Sequence, residues 1–247
     1  MIELSHIWRH PIKAHGAEAL DKVALSVSAC LPFDRHWAVA HETSKADGCT
    51  WVSCANFSRG AKAPGLMAIR ATMDEVSGLL TLTHPDLEPL VFDPNTQGEA
   101  LVAWTRPLMP ENRAQSVRVI SVPGVGMTDS DFQSVSICNH ASNRAVEEKL
   151  GQALDMRRWR GNLWLNGLEA WEEFELVGKR VKIGEAILHV RERITRCKAT
   201  MANPDTGKVD AQTLDALSSG WNIREFGVYA VIEQGGQIAI DDVAEVL

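Results

Sequence analysis

Apolar and polar positions alternate with a period of two through much of the first third of the chain. Residues 19–27, 37–41 and 68–73 each send successive side chains to opposite faces, the pattern of half-buried strands. Val76-Ser77-Gly78 separates the last of these from a further run, 79–83, and predicts a hairpin. Pro85, Pro89 and Pro94 then interrupt the alternation, and the proline-bearing stretch from Asp93 to Asn112 reads as irregular connection. Residues 117–122 predict another strand, stopped by Pro123-Gly124.

The period changes once, clearly. Val146, Leu150 and Leu154 recur at helical spacing behind Ser142, whose hydroxyl is suited to cap a helix start. Strand character then returns at Leu163-Trp164-Leu165 and in the alternating run 181–190, folded about Gly184-Glu185. A short helix is predicted over 211–217. The chain should close as a hairpin, 226–233 against 237–247, about Gly235-Gly236. The pattern is therefore mainly β with some α. Its best boundary lies after Asp93, giving an N-terminal β-rich unit over 1–93 and a second unit over 94–247.

Composition narrows the class. With 247 residues, 45% apolar and 23% charged, the chain can bury a sizeable core. Mean hydropathy is −0.12, and no long uncharged apolar run predicts a membrane span. The first residues lack the basic-then-apolar order of a secretory signal. Cysteines stand at 30, 49, 54, 138 and 197, with no Cys-x-x-Cys pair. That spacing predicts neither a disulfide framework nor a structural zinc site, and a reducing, cytoplasmic setting is expected.

Charge gives a more local message. The net charge of −7 argues against nucleic-acid binding. Basic residues are bunched instead, at Arg157-Arg158-Trp159-Arg160 and from Arg191 to Lys198, which points to a small anionic ligand. Cys197 lies inside the second cluster, between Arg196 and Lys198, where positive charge favours the thiolate. Taken alone, a cysteine is more often a buried apolar residue than a ligand. His10 and His15 flank Lys13, but no third residue has metal-ligand spacing.

Four separated pieces stand in a recognisable order: His10-Pro11-Ile12-Lys13-Ala14, Phe33-Asp34-Arg35-His36-Trp37, Arg158-Trp159-Arg160-Gly161-Asn162, and Thr195-Arg196-Cys197 followed by Asn203-Pro204-Asp205-Thr206-Gly207. The set resembles the MOSC family, the molybdenum cofactor sulfurase C-terminal domains, preceded by their N-terminal β-barrel domain. The resemblance implies a barrel-like first domain and a MOSC β-barrel with a few helices. It implies molybdenum cofactor, a molybdopterin ending in a phosphate, with Cys197 as the metal's protein ligand and catalytic residue. Lys13 and Arg35 match the family's phosphate-facing cations. Arg160 and Asn162 match its pterin-facing residues, and Asp131 and Thr195 fall at further cofactor-contacting positions. Ala14 departs from the serine usual in the family's reductases.

Better-understood relatives with this layout, the amidoxime-reducing components among them, reduce N-hydroxylated compounds. The resemblance thus implies a reductase of small N-hydroxylated substrates, served by a separate electron-transfer protein, since no iron–sulfur cysteine pattern is present. The alternative is a non-enzymatic carrier of cofactor, or of sulfur as a persulfide on Cys197.

Overall fold

The alternating runs become fifteen strands in a computed structural model that describes residues 1–247. In chain order these are β1 Glu3–Arg9, β2 Glu18–Leu20, β3 Lys22–Leu25, β4 Trp37–His41, β5 Arg70–Met73, β6 Leu80–His84, β7 Leu87–Phe92 and β8 Ser116–Ser121. There follow β9 Val135–Asn139, β10 Leu163–Asn166, β11 Arg180–Ile183, β12 Ala186–Thr195, β13 Glu225–Gln234, β14 Gly236–Ala239 and β15 Ala244–Val246. Three α-helices join them: α1 Gly98–Thr105, α2 His140–Leu150 and α3 Thr213–Trp221. The protein is mainly β. No helix is long and apolar enough to cross a membrane.

One eight-stranded sheet, in the order β15-β11-β12-β13-β9-β10-β1-β2, carries the second half of the chain and takes in the first two strands. Its inward side chains, among them Leu4, Ile137, Leu163, Leu188, Val228 and Ile232, form one continuous core. Truncating one of them to alanine costs about 2–5 kcal/mol, because close-packed neighbours cannot refill the space. Strands β5, β6 and β7 make a separate sheet, and β4 pairs with β8. Along β4 both faces are buried: Trp37 and Val39 join one core, Ala38 and Ala40 another. Its neighbours therefore cover it on two sides, and the expected half-exposure gives way.

Several expectations are corrected. The alternation over 19–27 is split at Asp21, so that β2 pairs with β1 while β3 pairs with β14. The stretch after Asp93 is not irregular but contains α1, with Leu101 and Thr105 buried. Pro94 and Pro107 lie outside that helix, where a missing N–H breaks no ladder. The helix expected behind Ser142 begins three residues earlier. Asn139 caps it, accepting from Ala141 N at 2.9 Å, while Ser142 Oγ donates to the buried Glu173 at 2.7 Å. Finally, the closing segment is no hairpin on β13. Gly235 lies so near β3 that a Cβ there would sit 2.6 Å from the Leu25 carbonyl oxygen, and β14 and β15 go to β3 and β11.

Candidate active site

The motif residues gather where β1, β4, β9, β12 and β13 end or bend. Lys13 sits in the turn after β1, its backbone N–H donating to the Trp37 carbonyl at 2.8 Å. Arg160 ends a single 3-10 turn, 156–159, and enters β10 through Gly161. Gly161 can hold no side chain, because a Cβ would lie 2.4 Å from Cys138 Sγ. Cys197 lies two residues past the end of β12 and opens the next 3-10 turn, where the Thr200 N–H and Oγ donate to its carbonyl at 3.2 and 3.1 Å.

These pieces enclose a cavity of about 220 Å³. Lys13, Arg35, Arg160, Thr195 and Cys197, all singled out in the sequence, line it. Ala14, Arg35 and Arg160 hold left-handed backbone, with φ of 64°, 51° and 49°. Such conformations cost of order 1 kcal/mol or more each and persist only where surrounding bonds fix them. Here the Arg35 N–H donates to the His10 carbonyl at 2.7 Å, and the Arg160 N–H to the Arg157 carbonyl at 3.1 Å.

Two expected residues stand elsewhere. Asn162 is buried and absent from the wall. Its Oδ1 accepts from the Ser136 N–H and Oγ at 3.1 and 2.8 Å, and its Nδ2 donates to the Trp8 carbonyl at 3.1 Å. It fixes Ser136, which does line the cavity. Asp131 is exposed outside it, and Asp129, two residues earlier, takes the wall position, accepting from Lys13 Nζ at 2.5 Å. No residue spacing in the 126–134 loop distinguishes the two acids.

The sequence reading also passed over Cys54, Arg59 and Arg158, all in the wall. Cys54 and Arg59 come from a loop of the first half with no motif to mark it. Arg158 stands in a basic cluster and opens the Arg158–Asn162 motif, but neither assigns it a place in the wall. Of that region's other cations, Arg191 and Arg193 lie over the rings of Phe132 and Phe174. Arg196 turns its guanidinium onto two backbone carbonyls, Trp159 and Phe226, at 2.6 and 2.8 Å.

Electrostatically the wall is short of negative charge. Lys13, Arg35, Arg59, Arg158, Arg160 and Arg196 line it against the single carboxylate of Asp129. Enclosure, with Arg35 close by, pulls the Arg160 guanidinium down to about 9. Burial opposes charge on Asp34, yet adjacent Arg35 holds it well below the usual carboxylate range. Burial likewise lowers His10 to about 3 and His15 to about 4. Both imidazoles are therefore neutral near pH 7 and support the Lys13 turn, with His15 Nδ1 2.7 Å from the Lys13 carbonyl oxygen. Among the wall residues, Arg158 keeps a buried Nε without a partner, although its Nη2 pairs with Asp210 at 2.7 Å.

Chemically the cavity offers excess positive charge, an unused buried donor and an exposed thiol, Cys197. The chain matches the MOSC N-terminal beta barrel domain over residues 1–116 and the MOSC domain over residues 126–245. Among solved structures it is similar to the YuaD protein of Bacillus subtilis, at 12% identity over 100% of this chain and 96% of that one, TM-score 0.48. It is also similar to YiiM of Geobacillus stearothermophilus, at 17% identity over 46% of this chain and 53% of that one, TM-score 0.37. No curated protein is a significant match.

Proposed function

The chain belongs to the MOSC family, and on that premise we propose that it is a molybdenum-cofactor-binding oxidoreductase that reduces N-hydroxylated compounds. Electrons come from a separate protein. The observation that carries this reading is the pairing, in one cavity, of six cations facing a single wall carboxylate with the exposed thiol of Cys197.

The wall fits the group. A phosphate-ended pterin is an anion, and both the lowered Arg160 and the partnerless Arg158 Nε ask for one. A soft metal takes a thiolate, and Cys197 is the exposed sulfur at the end of β12. When bound, the cofactor supplies a metal able to pass two electrons to an N–O bond. The chain's own work is then to bind and orient. Lys13 and Arg35 hold the phosphate end, with Asp129 and Asp34 fixing the two cations in place. Arg160 and Ser136 would hold the pterin, and Asn162 fixes Ser136 through its Oδ1. Cys197 would be the metal's protein ligand, with Thr195 in the same wall. Tyr229, also in the wall, stays protonated well beyond neutral pH because it is buried.

Reduction of R–NHOH to R–NH2 consumes two electrons and two protons and releases water. Protein loaded with metal and pterin, given a reduced viologen dye and benzamidoxime, should form benzamidine in step with dye oxidation. Loaded protein that forms none contradicts the reductase reading. One observation favours the carrier as the second reading: Cys54 places another thiol in the same wall, as a sulfur relay would need.

A further inference from the structure

We infer that Arg59 is a carboxylate-recognising residue of this cavity, so that the preferred N-hydroxylated substrates carry an anionic group. The inference rests on the reductase reading and narrows its substrate class.

Every other cation in the wall has at least one oxygen acceptor within the protein. Lys13 is held by the Met127 carbonyl and Asp129, at 2.7 and 2.5 Å. Arg35 pairs with Asp34, and Arg158 with Asp210. Arg196 serves the Trp159 and Phe226 carbonyls. Arg160 donates to the carbonyls of Gly16 and Ile12 at 3.0 and 3.4 Å. Arg59 has no carboxylate partner. Its one contact is from Nη1 to Cys54 Sγ at 3.0 Å, a weak acceptor.

A half-buried guanidinium whose donors the protein leaves largely unused keeps them open to an anion entering the cavity. Its planar fork matches a carboxylate in two-point geometry, which a lysine cannot reproduce. Location assigns that anion to substrate. Arg59 comes from the first half of the chain, and its loop packs against the cysteine turn. A Cβ on the next residue, Gly60, would lie 3.4 Å from the Cβ of Ala199, two residues after Cys197. A substrate whose N–O group reaches the Cys197 end thus finds Arg59 across the gap.

The test is titration calorimetry on protein purified with its cofactor and given no electron donor, with benzamidoxime and 4-carboxybenzamidoxime as probes. The wild type should bind the carboxylated probe about tenfold or more tightly, the worth of one charge-assisted contact. Arg59→Gln should bring the two affinities together, and Arg59→Lys should retain part of the difference. Equal affinities in the wild type, or a preference that survives in Arg59→Gln, overturn the inference. So does a loss of pterin from Arg59→Gln, which would assign Arg59 to the cofactor phosphate. Because the readout is binding, the outcome stands apart from whether any probe is reduced.

Discussion

Arg196 is tied to Trp159: its Nη1 donates to the Trp159 carbonyl at 2.6 Å. Arg196 immediately precedes Cys197, and Trp159 immediately precedes Arg160. One guanidinium therefore fixes the segment after β12, which carries the thiol, against the turn that carries Arg160. The Trp159 ring stacks on Phe226 with centroids 3.8 Å apart and planes 5° apart, and Arg196 Nε reaches the Phe226 carbonyl at 2.8 Å. Stack and fork together set the distance between two of the chemical groups.

Arg196→Lys should cost about 1–3 kcal/mol of stability, because a lysine cannot span both carbonyls and leaves one unsatisfied. Urea unfolding measures the loss. Pterin content of the purified variant should fall with it, since Cys197 and Arg160 lose their common anchor.

Cys197→Ser should leave stability within about 0.5 kcal/mol of the wild type, as expected for an exposed side chain. Dye-linked reduction of benzamidoxime should be abolished. A large drop in melting temperature would instead make Cys197 a packing residue.

Gly207→Ala tests the loop behind the cysteine. Gly207 has φ of +66°, and a Cβ there would lie 2.7 Å from the Gly65 Cα in the first half of the chain. Strain and backbone clash together should cost roughly 1–3 kcal/mol or more, read by thermal unfolding. The same loop holds Asp205, whose Oδ1 accepts from Arg70 and Arg157 at 2.6 and 2.7 Å. Asp205→Ala, at an exposed site, should cost under about 1 kcal/mol.

Glu173 predicts a pH dependence. It is fully buried, its Oε2 accepts from Asn139 Nδ2 and Ser142 Oγ at 2.9 and 2.7 Å, and its Oε1 has no partner. Burial raises its pKa above the ordinary 4.5. The folded state then holds this proton more tightly than the unfolded chain. Its contribution to stability is complete below pH 4.5 and declines as pH rises through the folded-state value. Glu173→Gln should remove that decline. The stability difference, variant minus wild type, should grow with pH in urea titrations from roughly pH 4 to 8. A difference independent of pH would contradict it.

Strand runs were legible wherever one face meets a core and the other meets water, as over 181–190. They misled where that simple geometry fails. At β4 two cores take opposite faces, and in the segment after Gly235 long-range pairing with β3 displaces a local hairpin. Helix α1 was hidden because prolines flank it. In the site, Lys13, Arg35, Arg160, Thr195 and Cys197 carried a signal because each lies in a short motif whose order matches a known pattern. Arg59 and Cys54 carried none, since nothing in a local sequence says that two distant loops will face one cavity. That Asp129, and not Asp131, reaches the wall has the same cause: its partner Lys13 lies far away in sequence.

The central claim is that this cavity holds molybdenum cofactor with Cys197 at the metal. The most direct test is the molybdenum and pterin content of protein purified from a host that makes the cofactor, beside Arg160→Gln and Cys197→Ser. Near-equimolar metal and pterin is expected in the wild type, with pterin lost from Arg160→Gln and the metal altered or lost in Cys197→Ser. Wild-type protein free of both, even after exposure to released cofactor, would contradict the claim.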